Sequence, residues 1–163
     1  MTSNHKIIRV LFVCLGNICR SPMAEAVFRS LVREAGLADQ IDVESAGTGG
    51  WHVGDRPHSG TIAVLAKNGI DVGQKRARRL SRSDLSEFEY IIAMDEENVL
   101  DIESMFGRKV PRLLEFAPQG TLPANYDLNV PDPYYSNNFD LVYRLVRAGC
   151  QGLLDYIRQK EGI

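Results

Sequence analysis

A thiol, a guanidinium and a hydroxyl stand close together at Cys14, Arg20 and Ser21, in the stretch Val13-Cys14-Leu15-Gly16-Asn17-Ile18-Cys19-Arg20-Ser21-Pro22. The run before it, Ile7 to Val13, is apolar apart from Arg9 and reads as a strand buried on both faces. After it, Ala24, Val27, Phe28, Leu31, Val32 and Ala35 recur at helical spacing. Ser21 suits the N-cap of that helix and Pro22 its first residue. A loop in this position gathers free backbone N–H groups and the positive end of the helix dipole. Such a loop is a socket for a tetrahedral oxyanion. A cysteine inside it would be held as a thiolate able to attack phosphorus. Arg20 would grip two phosphoryl oxygens with its planar fork, and the amides of Leu15, Gly16, Asn17, Ile18 and Cys19 would share the charge that develops on them. Gly16 and Asn17 suit left-handed or otherwise strained backbone.

Two further motifs accompany this loop. Ser45-Ala46-Gly47-Thr48 leads into Trp51-x-Val53-Gly54-x-x-Pro57, and Asp132-Pro133-Tyr134-Tyr135 lies far downstream. Together with C-x5-R-S after a first strand, they resemble the low-molecular-weight protein tyrosine phosphatases over nearly the whole chain, from about Ile7 onward. The resemblance implies hydrolysis of phosphotyrosine, and of small aryl phosphates, through a phosphocysteine on Cys14. Asp132 would be the general acid and then the general base. Ser21 matches a serine that donates to the thiolate, and Asn17 an anchoring asparagine bonded to a serine that matches Ser45. Cys19 matches a cysteine that forms a reversible disulfide with the nucleophile. Trp51, Tyr134 and Tyr135 look like the walls of a slot for a phenyl ring. One departure stands out: Lys75 occupies a position where the family often has histidine, so the bracing of the loop is expected to differ there.

These residues need elements to position them. Ile41 to Ser45 reads as a second strand, and Asp55 with Pro57 starts a helix that runs to Lys67 and stops at Asn68-Gly69. Ser81 to Asp84 caps a helical turn, Tyr90 to Met94 is a third strand, and Asp95 to Met105 is a helix closed by Gly107. Val110 to Phe116 is a candidate fourth strand, broken near its start by Pro111. The long polar segment from Ala117 to Asn137 reads as a loop, and such lengths in compact domains are usually functional. A last helix from about Asn138 to Gln159 carries Phe139, Val142, Tyr143, Val146, Cys150, Leu153, Leu154 and Ile157 on one face, with Gly149 and Gly152 inside it. This alternation argues for an α/β fold: a single domain over 1–163, a Rossmann-like parallel sheet with helices on both faces, and a flexible tail over 1–6. The family resemblance implies four strands. Ligands of such sheets bind at the carboxyl ends of the strands. Cys14, Ser45 and Asp95 all lie there, Ser45 and Asp95 as supporting residues.

Composition narrows the rest. The chain has 163 residues, 44% of them hydrophobic and 25% charged, and a formal net charge of −2. This balance favours neither nucleic acid nor an anionic membrane as partner. No run approaches a membrane span, and Met1 to Lys6 lacks the apolar core of a signal peptide, so a cytoplasmic protein is expected. The three cysteines suggest no disulfide framework, and with the three histidines they form no zinc spacing, so neither metal nor cofactor is expected. The expected partners are phosphotyrosine proteins or peptides and inorganic phosphate as product and inhibitor, with a monomer or weak dimer as the working unit. An arsenate reductase on the same scaffold would need resolving cysteines in mid-chain, and there is none between Arg20 and Gly149. A protein-arginine phosphatase would have threonine where Ile18 stands and would lack the second tyrosine. A module that only binds phosphate would need neither Cys14 nor Asp132.

Overall fold

The computed structural model describes residues 6–163. All but the last residue of the expected tail, 1–6, therefore lies outside the described residues. Strand β1, Ile8–Cys14, is the centre of a parallel sheet in which β2, Ile41–Gly47, pairs on one side and β3, Tyr90–Ala93, on the other. Along β1 the side chains alternate between two cores. Val10, Phe12 and Cys14 join the larger one with helix α1, Arg20–Glu34, while Leu11 and Val13 join the smaller one with Phe88 and Ile102. This is why the strand's sequence is a continuous apolar run, since neither face meets water.

The helices follow in chain order: α2, Ser59–Lys67; α3, Arg82–Glu87; α4, Glu96–Phe106; the four-residue α5, Pro133–Ser136; and the long α6, Phe139–Glu161. Their stops are those the sequence announces. Gly36, Gly69 and Gly107 all take left-handed backbone just beyond a helix. Ser81 and Asp84 form a capping box on α3, and Asp95 and Asn98 form one on α4. Two starts differ from expectation. Helix α2 begins only at Ser59, where the His58 ring accepts from the Gly60 N–H. Helix α1 begins at Arg20 with Cys19 as N-cap, so Ser21 and Pro22 lie inside its first turn.

Among the described residues the sheet has three strands where four were expected. Pro111 has no N–H to continue a ladder, and the segment makes only a single bridge, Arg112 to Ala93. The Arg112 N–H then turns to the Glu115 carboxylate at 2.6 Å, which winds Leu113–Phe116 into a 3-10 turn. Leu113 and Leu114 are buried by that turn. It packs on α6 where Gly149 faces Leu113 and Gly152 faces the Phe116 carbonyl. A Cβ on Gly152 would overlap that carbonyl oxygen, a backbone atom that no rotamer change can move aside. Gly152→Ala is therefore expected to destabilise the fold by at least about 1–3 kcal/mol, read as a lower urea midpoint at unchanged slope.

Candidate active site

The loop between β1 and α1 closes around the Cys14 sulfur. Asn17 adopts φ of +58°, the left-handed region, and the chain doubles back so that its N–H donates to Cys14 Sγ at 3.3 Å. Gly16 stays outside that region, and a Cβ there would press on the His52 ring at 3.1 Å. The Asn17 side chain is wholly engaged. Its Oδ1 accepts from the Arg78 N–H at 3.0 Å, and its Nδ2 donates to Ser21 Oγ at 2.8 Å and Ser45 Oγ at 2.9 Å. Ser21 Oγ lies 3.0 Å from Cys14 Sγ. The serine expected to cap the helix thus faces the thiol instead, and the cap position has no side-chain bond at all. Among the described residues the N–H groups of Gly16, Ile18 and Cys19 meet no protein acceptor, so the loop keeps donors for an anion.

Arg20 comes off the first turn of α1 and is buried. One guanidinium nitrogen bonds Asp95, the N-cap of α4, and also donates to the Val130 carbonyl at 3.0 Å; the other lies 3.7 Å from Asp132. Burial works against the charge, but Cys14, Asp95 and Asp132 more than offset it, and the arginine pKa lies above its ordinary value. Asp132 caps α5, its Oδ1 accepting from the Tyr134 N–H at 3.0 Å. Cys19 is different: burial, then the Cys14 and Asp132 charges, push its thiol up to about 12.

A cavity of about 260 Å³ opens over this loop, lined by Cys14, Leu15, Gly16, Ile18, Cys19 and Arg20 below, with Trp51, His52, Asp132, Tyr134 and Tyr135 around it. The expected aromatic walls thus meet in one place, although Trp51 and Tyr135 are 73% and 80% exposed, so they form a rim rather than a core. Such a site combines a thiol, a buried cation, a carboxylate and spare amide donors beneath an aromatic mouth. It can transfer a phosphoryl group from an aryl oxygen.

Comparison with known proteins agrees. The family model described as Low molecular weight phosphotyrosine protein phosphatase matches residues 9–162. The chain belongs to this family. It is 48% identical to the low molecular weight protein-tyrosine-phosphatase YfkJ of Bacillus subtilis, over 95% of this chain and 99% of that protein. It is 44% identical to PtpA of Staphylococcus epidermidis, over 93% of this chain and 94% of that one. The crystal structure of YfkJ superposes with a TM-score of 0.90 at 46% identity, covering 97% and 99% of the two chains. The chain is a protein-tyrosine-phosphatase.

Around and below the cavity stand residues that the sequence did not single out, His52, His58 and Glu25, together with Lys75, whose departure from the family pattern it did mark. His52 lines the mouth, with its Nδ1 3.2 Å from Asp55. His58 stacks on Phe139 and meets the edge of Tyr134. Below the loop, Glu25 accepts from Ser45 Oγ at 2.6 Å, and Lys75 donates to the Ser45 carbonyl at 2.7 Å. No local pattern marks these partners, because each is brought in from a distant segment. Arg78, whose N–H anchors Asn17, is held by two bonds to Asp84 at 3.0 and 3.1 Å. Burial alone would raise the Asp84 carboxyl, but Arg78 and the Ser81 N–H hold it below the ordinary carboxylate value. A depressed folded pKa contributes stability above the unfolded value of about 3.9, which is lost as pH falls through the folded value. In acid unfolding followed by circular dichroism, Asp84→Asn should therefore lower stability at neutral pH and leave a shallower loss below about pH 4.

Proposed function

We propose that the chain, working as one phosphatase domain, hydrolyses phosphotyrosine by double displacement within the cavity over residues 14–20. The Cys14 thiolate attacks phosphorus, forming the S–P bond while the P–O bond to the tyrosyl oxygen breaks. Asp132 gives that oxygen its proton. In the second step the Asp132 carboxylate takes a proton from water, the water oxygen attacks phosphorus, and the sulfur leaves as thiolate stabilised by the Ser21 hydroxyl. Arg20 and the loop amides carry the charge on the equatorial oxygens through both steps, and inorganic phosphate is released. The carrying observation is the convergence in one cavity of Cys14, with a hydroxyl donor at 3.0 Å, the buried Arg20 guanidinium and the Asp132 carboxylate 3.7 Å from it. Trp51, Tyr134 and Tyr135 suit a phosphoaryl group, whose ring can pass between aromatic walls while the phosphate reaches the floor. Ile18 on the floor supports the same choice, with a methyl-bearing chain where a phosphoguanidinium would need polar partners.

Cys19 suits a protective role. Peroxide would convert Cys14 to a sulfenic acid, and the neighbouring thiol would condense with it to a disulfide, releasing water; added thiol would reverse this. Cys19→Ser should then lose activity irreversibly under peroxide treatment from which the parent recovers.

The test of the main reading is hydrolysis of p-nitrophenyl phosphate by chelator-treated protein, with inorganic phosphate as a competitive inhibitor. Cys14→Ser should abolish turnover. Asp132→Ala should lower kcat by about 10²–10⁴ and flatten the alkaline limb of the pH profile. Unimpaired turnover in either variant, or none in the parent, would overturn it.

A further inference from the structure

The Asp132 carboxyl must meet a leaving oxygen at one place, yet its own segment has few ties to the rest of the chain. Among the described residues, the hydrogen bonds of residues 131–137 all end within residues 131–138. Asp132 itself lies 3.7 Å from Arg20, and Pro133 is buried but has no N–H to bond. The sideways hold falls to Tyr134. That residue is 53% exposed, so its ring is fixed only by what stands beside it. His58 meets it edge to face, with ring centroids 6.1 Å apart at 79°. His52 also approaches, at 6.2 Å and tilted.

Of the two histidines His58 is the one held on every side. Its N–H donates to the Ile18 carbonyl at 2.7 Å, and its ring lies on Phe139 with centroids 5.0 Å apart and 27° between the planes. Gly60 makes room for that stack, since a Cβ there would stand 2.4 Å from the Phe139 ring. Nδ1 accepts from the Gly60 N–H at 2.9 Å. A backbone N–H can only donate, so Nδ1 is the bare nitrogen and Nε2 carries the proton. Capping α2 does not need a ring, because asparagine or serine serves as well. The ring therefore has another use. We infer that His58 is a positioning residue for the proton transfer: its ring holds Tyr134, whose N–H fixes Asp132 Oδ1 at 3.0 Å and leaves Oδ2 to carry the proton toward the leaving oxygen. One imidazole thus joins the loop that binds phosphate, through Ile18, to the segment that supplies the acid.

This rests on the phosphatase reading above, and the test separates the two. His58→Asn keeps an acceptor for the Gly60 N–H and removes the ring, whereas His58→Phe keeps a ring and removes the acceptor. The measurement is kcat/KM of the full chain for phenyl phosphate and for p-nitrophenyl phosphate. Phenolate is strongly basic and must leave protonated, while the nitro group makes its phenolate a better leaving group with less need of an acid. In His58→Asn the value for phenyl phosphate should fall about tenfold further than that for p-nitrophenyl phosphate, with the thermal midpoint near that of the parent. In His58→Phe the two values should keep the parent proportion, while the midpoint drops by about 2–4 °C as the cap is lost. Equal falls for both esters in His58→Asn would make the residue merely structural and overturn the inference. The asparagine pattern appearing in His58→Phe would overturn it too. Should His58→Asn not fold, Phe139→Leu, which removes the ring stacked on His58, should give the same pattern, and the parent proportion there overturns the inference. A parent that hydrolyses neither ester defeats the phosphatase reading and this inference with it; an active parent whose proportion no variant moves defeats this inference alone.

Discussion

The loop's form depends on one side chain. Asn17 holds left-handed backbone, which costs a residue with a Cβ roughly 1–2 kcal/mol, and it does so while 1% exposed. Three side-chain hydrogen bonds offset that cost and leave no rotamer free. Because the chain reverses at this residue, its own N–H returns to the sulfur of Cys14. Ser21 is drawn to the same sulfur through the same amide. A different residue here would leave the Arg78 N–H without its acceptor and the Ser21 and Ser45 oxygens without the donor they share.

Charge is arranged around Arg20 in a graded way. An arginine this buried would be costly alone, and two carboxylates from separate parts of the chain face it. Asp95 is tightly bound, fixed by its capping bond at 2.8 Å to the Asn98 N–H and by the guanidinium itself. Asp132 is looser, at 3.7 Å and one quarter exposed, on a four-residue helix at the end of a long loop. A carboxyl that must exchange a proton with substrate and water suits the looser place. The aromatic rim shows the same division, with Tyr134 propped by the His58 ring while Tyr135 and Trp51 stand out toward solvent.

Much of this was legible in the sequence where local chemistry settles the outcome. The β1 run, the capping residues Ser81, Asp95 and Asn138 and the stops at Gly36, Gly69 and Gly107 all behave as their types require. The thiol and guanidinium were legible because a strand, a short loop and a helix leave few ways to place them. The misjudged places are those where a distant partner outweighed a local preference. Ser21 is a good cap by type, yet Asn17 and Cys14 claim it and Cys19 takes the cap position. Val110 to Phe116 has the composition of a strand, yet Pro111 ends the ladder and the Arg112–Glu115 pair winds Leu113–Phe116 onto α6.

The order of residues alone determined the parallel α/β plan, the position of an anion loop at the carboxyl edge of the first strand and the identity of the groups able to react there. These rest on periodicity, capping and side-chain chemistry, all of which act over a few residues. Tertiary structure decided which groups hold those reactive atoms in place. Asn17 meets Ser45 across 28 positions and Arg78 across 61, and Arg20 meets Asp95 across 75. Hydrogen bonds and ion pairs depend on distance in space, and only packing the helices onto the sheet brings these atoms within reach of one another.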